Sequence, residues 1–296
     1  MRHQTDLYQR ITDQIVSAIE QSASTGRFRL PWHNNGFSTM EPINAQSGRS
    51  YRGINTLALW VAAMRSGDET GQWATYRQWQ ALGAQVKRGE KSSLVVFWKT
   101  MPPKDKEAEH EADGTAHPEP RLVARSYSVF NVQQVKDYTP PVAPTLSEDE
   151  RIECTERFFA TLGGAVHHGG FEAYYDSGQD RIHIPNFRCF FDNVGYYSTL
   201  AHEYTHWTGH SSRLGRDLCG RFGSHAYAAE ELVAELGAAF CCARLNLTVE
   251  PRQDHAKYLK SWLDVLRTDK RAIFTAASKA QQAVDWMDAQ QGEDRE

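Results

Sequence analysis

Hydrophobic residues in the first half of the chain recur with the periods of both helices and strands. Apolar residues at every fourth position predict an amphipathic helix over residues 6–21: Leu7, Ile11, Ile15 and Ile19. Two further helices are predicted, over residues 54–64 and 75–82. Strand spacing predicts three strands, over residues 85–86, 92–98 and 122–132, with residues 87–90 as the turn between the first two. The pattern therefore predicts an α+β domain.

The second half is predicted to be mostly helical around one small hairpin. The hairpin consists of residues 171–175 and 181–184, joined by a polar turn. Helical periodicity predicts five helices, over residues 150–162, 194–208, 227–245, 253–266 and 270–287. The strand at 181–184 has two open interpretations: it pairs with an extended peptide ligand, or it closes the sheet.

Two segments lack the apolar residues of a folded core. Residues 102–120 (PPKDKEAEHEADGTAHPEP) lie between strand-like sequences and predict a mobile acidic insert within the first domain. Residues 139–150 contain three prolines followed by an acidic cluster, which predicts an interdomain linker. The predicted organisation is an N-terminal domain over 1–138 and a C-terminal domain over 151–296.

Composition adds the cellular setting. The chain has 296 residues, enough for two domains, and no apolar run long enough to cross a bilayer. Its polar N-terminus lacks the apolar core of a secretory signal, so a cytoplasmic location without a membrane partner is predicted. The five cysteines form no Cys-x-x-Cys pair and are interpreted as structural.

Charge is divided unevenly along the chain. Residues 1–101 and 121–138 together contain 15 Lys and Arg against 8 Asp and Glu, a net charge of +7. Residues 102–120 carry −4 and residues 139–296 carry −7. A basic half joined to an acidic half indicates a different partner for each.

The run His202-Glu203-Tyr204-Thr205-His206 predicts a metal centre. Residues four apart share one face of a helix, so His202 and His206 can bind one ion. Glu203 is the predicted catalytic residue, because a carboxylate beside metal-bound water can take its proton and pass it to the leaving amine of a peptide. The alternative is a surface helix with two solvated histidines. Apolar neighbours such as Trp207 argue against that alternative.

A third metal ligand is predicted on the next long helix. Glu231 is the first choice, with Glu230 as the alternative, because the rotation of the helix cannot be fixed from the sequence. Glu235, one turn later, is predicted to orient a ligand histidine through its ring N–H. A third ligand at position 212 is excluded, since that residue is Ser212. Transition-state stabilisers stay unassigned among three candidates: His210, His225 and Tyr227.

The metal itself is predicted to be divalent, with zinc favoured and manganese or cobalt left open. A hairpin followed by a motif helix and a second ligand helix is the order of a zincin of the gluzincin type. The predicted fold class is therefore α+β, with an N-terminal α+β domain and a C-terminal zincin-like metallopeptidase domain.

Aromatic and basic residues interleave in the first domain, a composition suited to single-stranded nucleic acid, in which cations meet phosphates and rings stack on bases. The opposing interpretation is that the tryptophans belong to the core. The predicted DNA-binding residues are Tyr51, Arg52, Arg77, Lys87, Arg88, Lys91 and Trp98.

Several motifs resemble the ArdC antirestriction family. In the first half they are residues 44–55 (NAQSGRSYRGIN), 83–91 (GAQVKRGEK), 95–98 (VVFW) and 127–131 (YSVFN). In the second half they are residues 200–210 (LAHEYTHWTGH) and 228–240 (AAEELVAELGAAF). The N-terminal module is also similar to that of plasmid-encoded DNA primases of conjugation systems.

The resemblance implies a single-stranded DNA-binding domain followed by a zincin domain, on a protein that protects incoming plasmid DNA from host restriction. It places DNA contacts around Tyr51, Arg52, Lys87, Arg88 and Lys91. A host restriction protein is then a candidate peptidase target. Two other functions stay open: a cytosolic metalloprotease whose first domain binds protein substrates, and a pseudo-peptidase whose metal is structural.

Overall fold

The computed structural model describes residues 2–24, 30, 32, 40–68, 70–101, 121–141, 146–218, 224–247 and 255–292. The predicted insert at 102–120 and Cys219 lie outside the described residues, as do residues 142–145 of the predicted linker.

The described helices follow the predicted order, with ends that differ by a few residues. In chain order they are α1 (Arg2–Ser24), α2 (Ile54–Ser66), α3 (Tyr76–Ala81), α4 (Glu148–Thr161), α5 (Asn193–Thr208), α6 (His225–Arg244), α7 (His255–Thr268) and α8 (Ala272–Ala289). Short 3-10 turns cover Val132–Gln134 and Phe187–Cys189. Helix α4 begins inside the predicted linker, because Ser147 and Glu150 form a capping box that starts the helix there.

The strands of the first half are β1 (Ile43–Asn44), β2 (Gln72–Thr75), β3 (Gln85–Val86), β4 (Ser93–Met101), β5 (Arg121–Asn131) and β6 (Val135–Lys136). Four of them form a sheet in the order β1-β2-β5-β4, in which β4 and β5 are antiparallel over nine residue pairs. Strands β3 and β6 form a separate two-stranded ladder.

Residues 87–90 contain the predicted turn between β3 and β4, but these two strands do not pair with each other. Strand β3 pairs with β6, and the Lys87 backbone N–H donates to the Gln134 carbonyl. Val86 packs there in a small apolar cluster with Trp79 and Val135. Strand β4 pairs instead with β5, because these two long strands satisfy each other's backbone groups over their whole length.

The second half contains a three-stranded sheet of β7 (Ala165–His168), β8 (Tyr174–Asp176) and β9 (Arg181–Ile184). The order is β7-β9-β8, with β9 parallel to β7 and antiparallel to β8. The interpretation of β9 as an edge that receives a peptide was therefore wrong, since both its edges are paired. Strand β8 is the edge on the hairpin side.

One hydrophobic core joins the two domains. Residues of α1 and α2 belong to the same buried cluster as residues of α5, α6 and α8. Trp60 of α2 packs against Phe240 of α6, with ring centroids 5.6 Å apart. The Thr12 hydroxyl donates to the Lys270 carbonyl at 2.8 Å. The site on α5 and α6 is thus supported from the N-terminal domain as well.

Within the described ranges, we find no helix with both the length and the apolar character needed to span a membrane.

Candidate metal centre

Helix α5 carries the histidine motif through the interior of the second domain. Asp192 caps the N-terminus of the helix, and its side chain accepts a hydrogen bond from the Gly195 backbone N–H at 2.7 Å. His202 is 6% exposed and Glu203 is 3% exposed. The rings of His202 and His206 lie with centroids 4.9 Å apart. The four-residue spacing therefore places both imidazoles side by side on one face of a buried helix.

Helix α6 passes close to this face because of one glycine. A Cβ atom added to Gly237 would stand 2.4 Å from Thr205 Cγ2 and 2.6 Å from Thr205 Oγ1. Thr205 lies between the two histidines on α5, so any larger residue at 237 would push the helices apart at the site. The close approach brings the acidic first half of α6 opposite the imidazoles.

Three side chains converge from the two helices. The ligand atoms of His202, His206 and Glu231 all lie within 4.8 Å of one another. His202 Nε2 is 3.6 Å from one Glu231 oxygen, and His206 Nε2 is 3.6 Å from the other. Donors bound to a tetrahedral zinc ion at about 2.0–2.2 Å stand roughly 3.4 Å apart. The spacing of these donors therefore fits a single divalent ion.

The other ring nitrogens each face a carboxylate. His202 Nδ1 lies 3.7 Å from Glu235 Oε2, and His206 Nδ1 lies 3.4 Å from Glu230 Oε1. Carboxylates in these positions orient metal-binding histidines and increase their basicity. The structure thus brings Glu231, and not the alternative Glu230, to the Nε2 side of the pair, and it places Glu235 at a ring nitrogen.

Two residues that sequence reasoning missed hold the outer carboxylates. Arg216 donates to Glu230 at 2.9 Å and to the Thr208 hydroxyl at 2.9 Å. The indole N–H of Trp32 donates to Glu235 Oε1 at 3.1 Å. Trp32 belongs to the N-terminal part of the chain, 203 residues before its partner. No local pattern in the sequence indicates either contact.

The electrostatic environment keeps the carboxyl groups ionised. Burial opposes ionisation of Glu231, but the hydrogen bond from His202 and the nearby imidazoles lower its pKa to about 2. Burial likewise opposes ionisation of Glu230, and hydrogen bonds from His206 and Arg216 outweigh it and lower that pKa. An ionised Glu231 is the form that binds a cation.

A cavity of about 250 Å³ opens in front of the three side chains. Glu203 lines it, together with Tyr227, Tyr258 and Trp262. Residues of the edge strand β8, among them Tyr174, form another wall. Of the three candidate transition-state stabilisers, Tyr227 lines this cavity. His225 lines a neighbouring cavity, and the ring of His210 is hydrogen-bonded to the Ser212 hydroxyl.

The predicted DNA-binding residues differ in exposure and in the partners that they contact. Tyr51 is 7% exposed, and its hydroxyl accepts a hydrogen bond from Asn44. Arg52 forms an ion pair with Asp285 of α8. Trp98 is 39% exposed, and its ring stands nearly perpendicular to that of Phe274 with centroids 6.3 Å apart.

The remaining four predicted residues are exposed. They are Arg77, Lys87, Arg88 and Lys91. Lys87 Nζ donates to the Gln133 carbonyl at 2.7 Å, so its ammonium group is hydrogen-bonded to the 3-10 turn Val132–Gln134. The DNA-binding role of these four side chains stays a prediction.

Both halves of the chain match known domain families. Residues 5–130 match the N-terminal domain of the anti-restriction factor ArdC, and residues 153–279 match a zincin-like metallopeptidase domain. The crystal structure of the metal-free antirestriction ArdC protein from plasmid R388 superposes with a TM-score of 0.78 at 36% identity, covering 98% of this chain and all of that one. The chain belongs to the ArdC antirestriction family. The predicted two-domain α+β fold with a zincin-like second domain is thereby confirmed.

Other relatives extend the ArdC comparison. The Mn(II)-bound form of the R388 ArdC protein matches with a TM-score of 0.75 at 36% identity, covering 98% of this chain and 99% of that one. The protein y4eC of Sinorhizobium fredii is 54% identical over 98% of this chain and 94% of its own length. A DNA primase TraC of Escherichia coli is 33% identical over 95% of this chain, which spans 27% of the primase.

Proposed function

We propose that this ArdC-family chain binds single-stranded DNA and protects incoming plasmid DNA from host restriction during conjugation, while His202, His206 and Glu231 hold a divalent metal in a peptidase-like centre. The observation that carries the second part is the convergence of these three donor groups within 4.8 Å. Two imidazoles and one carboxylate suit zinc. The Mn(II) in the related R388 protein supports a divalent ion and keeps manganese, like cobalt, as an alternative.

The residues around the donors supply the functions that peptide hydrolysis needs. A bound divalent ion acts as a Lewis acid and lowers the pKa of water. Glu203, buried in the cavity wall, is the base that accepts the proton of the attacking water and transfers it to the leaving amine. Tyr227 lines the same cavity and has a hydroxyl that can donate a hydrogen bond to an oxyanion.

An extended peptide has a place beside the cavity. Strand β8 is an edge of its sheet, and Tyr174 and Tyr175 of that strand line the cavity wall. A peptide that pairs with such an edge is held by its backbone, whatever its sequence. The edge strand supports an extended peptide as the substrate, and we take a host restriction protein that presents such a segment as the candidate.

The proposed DNA-binding function is supported by the charge of the N-terminal domain and by sequence similarity to DNA primases. The N-terminal domain apart from the acidic insert carries a net charge of +7. Two DNA primases TraC of Escherichia coli are 33–34% identical to this chain over 91–95% of its length, which supports a DNA strand as the partner. A chain of this kind works in the cytoplasm, where entering plasmid DNA meets host restriction.

Titration of a fluorescent single-stranded oligonucleotide at increasing salt tests the DNA-binding part. We expect affinity that falls with salt, because phosphate contacts release counterions. The double variant Lys87→Ala/Arg88→Ala is expected to weaken binding and to reduce the salt slope. Absence of binding by the unmodified chain at low salt would remove the DNA-binding function and leave a metalloprotease.

The variant Glu203→Gln separates a peptidase from a pseudo-peptidase. It keeps the shape of the side chain and removes its basicity, so metal content should stay unchanged. Loss of antirestriction in conjugation assays would place hydrolysis within the function. Full protection by Glu203→Gln would make the metal structural and turn the domain into a pseudo-peptidase.

A further inference from the structure

The β4–β5 ladder exposes two aromatic rings on one of its faces. Phe97 is 48% exposed and Tyr127 is 43% exposed, and their rings meet edge to face with centroids 5.6 Å apart. The residue pairs of the ladder are Val95 with Tyr127, Phe97 with Arg125, and Lys99 with Val123. Side chains two residues apart on a strand share a face, and so do those of directly paired residues. Phe97, Lys99, Arg125 and Tyr127 therefore form one surface, here called the aromatic–basic face.

The rings of Phe97 and Tyr127 are exposed because they lie just beyond the buried part of the same sheet face. Val95 and Val129 on the same face are buried against Trp73, Tyr51 and Leu59. Phe97 and Tyr127, each two residues further from these valines on their strands, lie outside this cluster and are exposed. Trp98 lies on the opposite face, toward Phe274, and so does not belong to the aromatic–basic face.

The charge of this surface is positive. Lys99 and Arg125 are exposed, and across the described ranges of the chain neither forms an ion pair. This contrasts with Arg52, which is neutralised by Asp285, and with Lys87, whose ammonium donates to a carbonyl. Two cations beside two exposed rings meet the needs of a single strand of nucleic acid, whose phosphates attract cations and whose bases stack on rings.

We infer that the aromatic–basic face binds single-stranded DNA, with bases stacked on Phe97 and Tyr127 and phosphates paired with Lys99 and Arg125. The inference rests on the proposed DNA-binding function and adds the place of contact. Contacts of this type do not read sequence, because every base offers a flat ring. The aromatic–basic face then supplies the stacking contacts, in addition to the phosphate contacts expected at the Lys87–Lys91 turn.

Titration of a fluorescent single-stranded oligonucleotide with the full chain tests the assignment. Phe97→Ala and Tyr127→Ala should each lower affinity by about 5- to 150-fold. Phe97→Tyr and Tyr127→Phe keep the rings and should bind like the unmodified chain. Phe191→Ala, which removes a fully exposed ring of the second domain, is the matched control. Thermal melting checks that each variant is folded.

The salt series tests the cationic part of the face. Replacing both Lys99 and Arg125 by glutamine should reduce the slope of log affinity against log salt by about 1.4, since each phosphate contact on a single strand contributes about 0.7.

The outcomes separate this inference from the proposed function. An unmodified chain that ignores oligonucleotides contradicts both. Strong binding that survives Phe97→Ala/Tyr127→Ala but is lost in Lys87→Ala/Arg88→Ala keeps the function and overturns the assignment. A change of oligomeric state in the ring variants, with unchanged DNA affinity, would instead assign the face to self-association.

Discussion

Replacing Gly237 by alanine should open the metal centre without touching any of its ligands. The added Cβ would stand 2.4 Å from Thr205 Cγ2 and 3.1 Å from Thr205 Cβ. Thr205 is fully buried, and its hydroxyl donates to the Ala201 carbonyl at 2.8 Å, so its side chain is fixed within α5. The clash is therefore relieved by movement of α6 away from α5. Glu231, carried on α6, moves with it.

The magnitude follows from two opposing terms. Overpacking a well-filled core costs about 1–3 kcal/mol. The change from glycine to alanine inside a helix returns about 1 kcal/mol. We therefore expect the free energy of unfolding to fall by up to about 2 kcal/mol, which a marginally stable domain tolerates. The loss of zinc affinity is expected to be larger, because a shift of Glu231 by a few tenths of an ångström moves its carboxylate out of the distance at which the three donors can bind one ion.

Isothermal titration with Zn²⁺ and chemical denaturation of the metal-free chain measure the two effects separately. The double variant Thr205→Ala/Gly237→Ala removes the two shortest contacts and leaves the one at 3.1 Å, so zinc affinity should be partly restored. Unchanged zinc affinity in Gly237→Ala, in a folded and equally stable chain, would refute the claim that helix spacing sets the site.

Three further changes have expected outcomes. Asp180→Asn should cost up to about 1 kcal/mol near neutral pH, because the Asp180 carboxylate accepts a hydrogen bond from Arg213 at 3.0 Å but is more than a third exposed, so solvent screens the ion pair. That hydrogen bond lowers the pKa of Asp180, so the stabilisation is complete above about pH 4 and is lost as the pH falls through the lowered value; denaturation at several pH values measures it. Arg216→Met should cost about 3–5 kcal/mol by removing the guanidinium partner of the buried Glu230 carboxylate, measured by denaturation. Deleting residues 103–119, which carry most of the acidic insert, should raise oligonucleotide affinity at low salt and change little at high salt.

The parts of the site that sequence could predict are those set by local periodicity. His202 and His206 share a face because they are four residues apart on one helix, and the structure places them so. The choice between Glu231 and Glu230 depends on how α6 is rotated against α5, which neighbouring residues do not determine. Trp32 contacts a residue 203 positions away and Arg216 contacts one 14 positions away, and no local sequence pattern indicates either contact.

The first domain illustrates the same limit. Helices and long strands were predicted from their own residues, whereas the partner of the two-residue strand β3 is set by packing of Val86 against distant apolar residues. The run Gly48–Gly53 has the composition of a flexible phosphate-binding loop. In the folded chain, however, Arg52 is paired with Asp285, 233 residues away. Interleaved aromatic and basic residues indicate a nucleic-acid partner, but exposure decides which of them are available to it.

Metal content after equilibrium dialysis against a series of buffered Zn²⁺ concentrations tests the metal centre most directly, with the unmodified chain beside Glu231→Gln and Glu230→Gln. We expect about one equivalent in the unmodified chain and strongly reduced content in Glu231→Gln. Glu230→Gln should still bind one equivalent, with affinity about 10- to 100-fold weaker, because it loses a residue that orients His206 rather than a ligand. Retention of metal by Glu231→Gln together with its loss in Glu230→Gln would contradict the assignment of Glu231 as the third ligand.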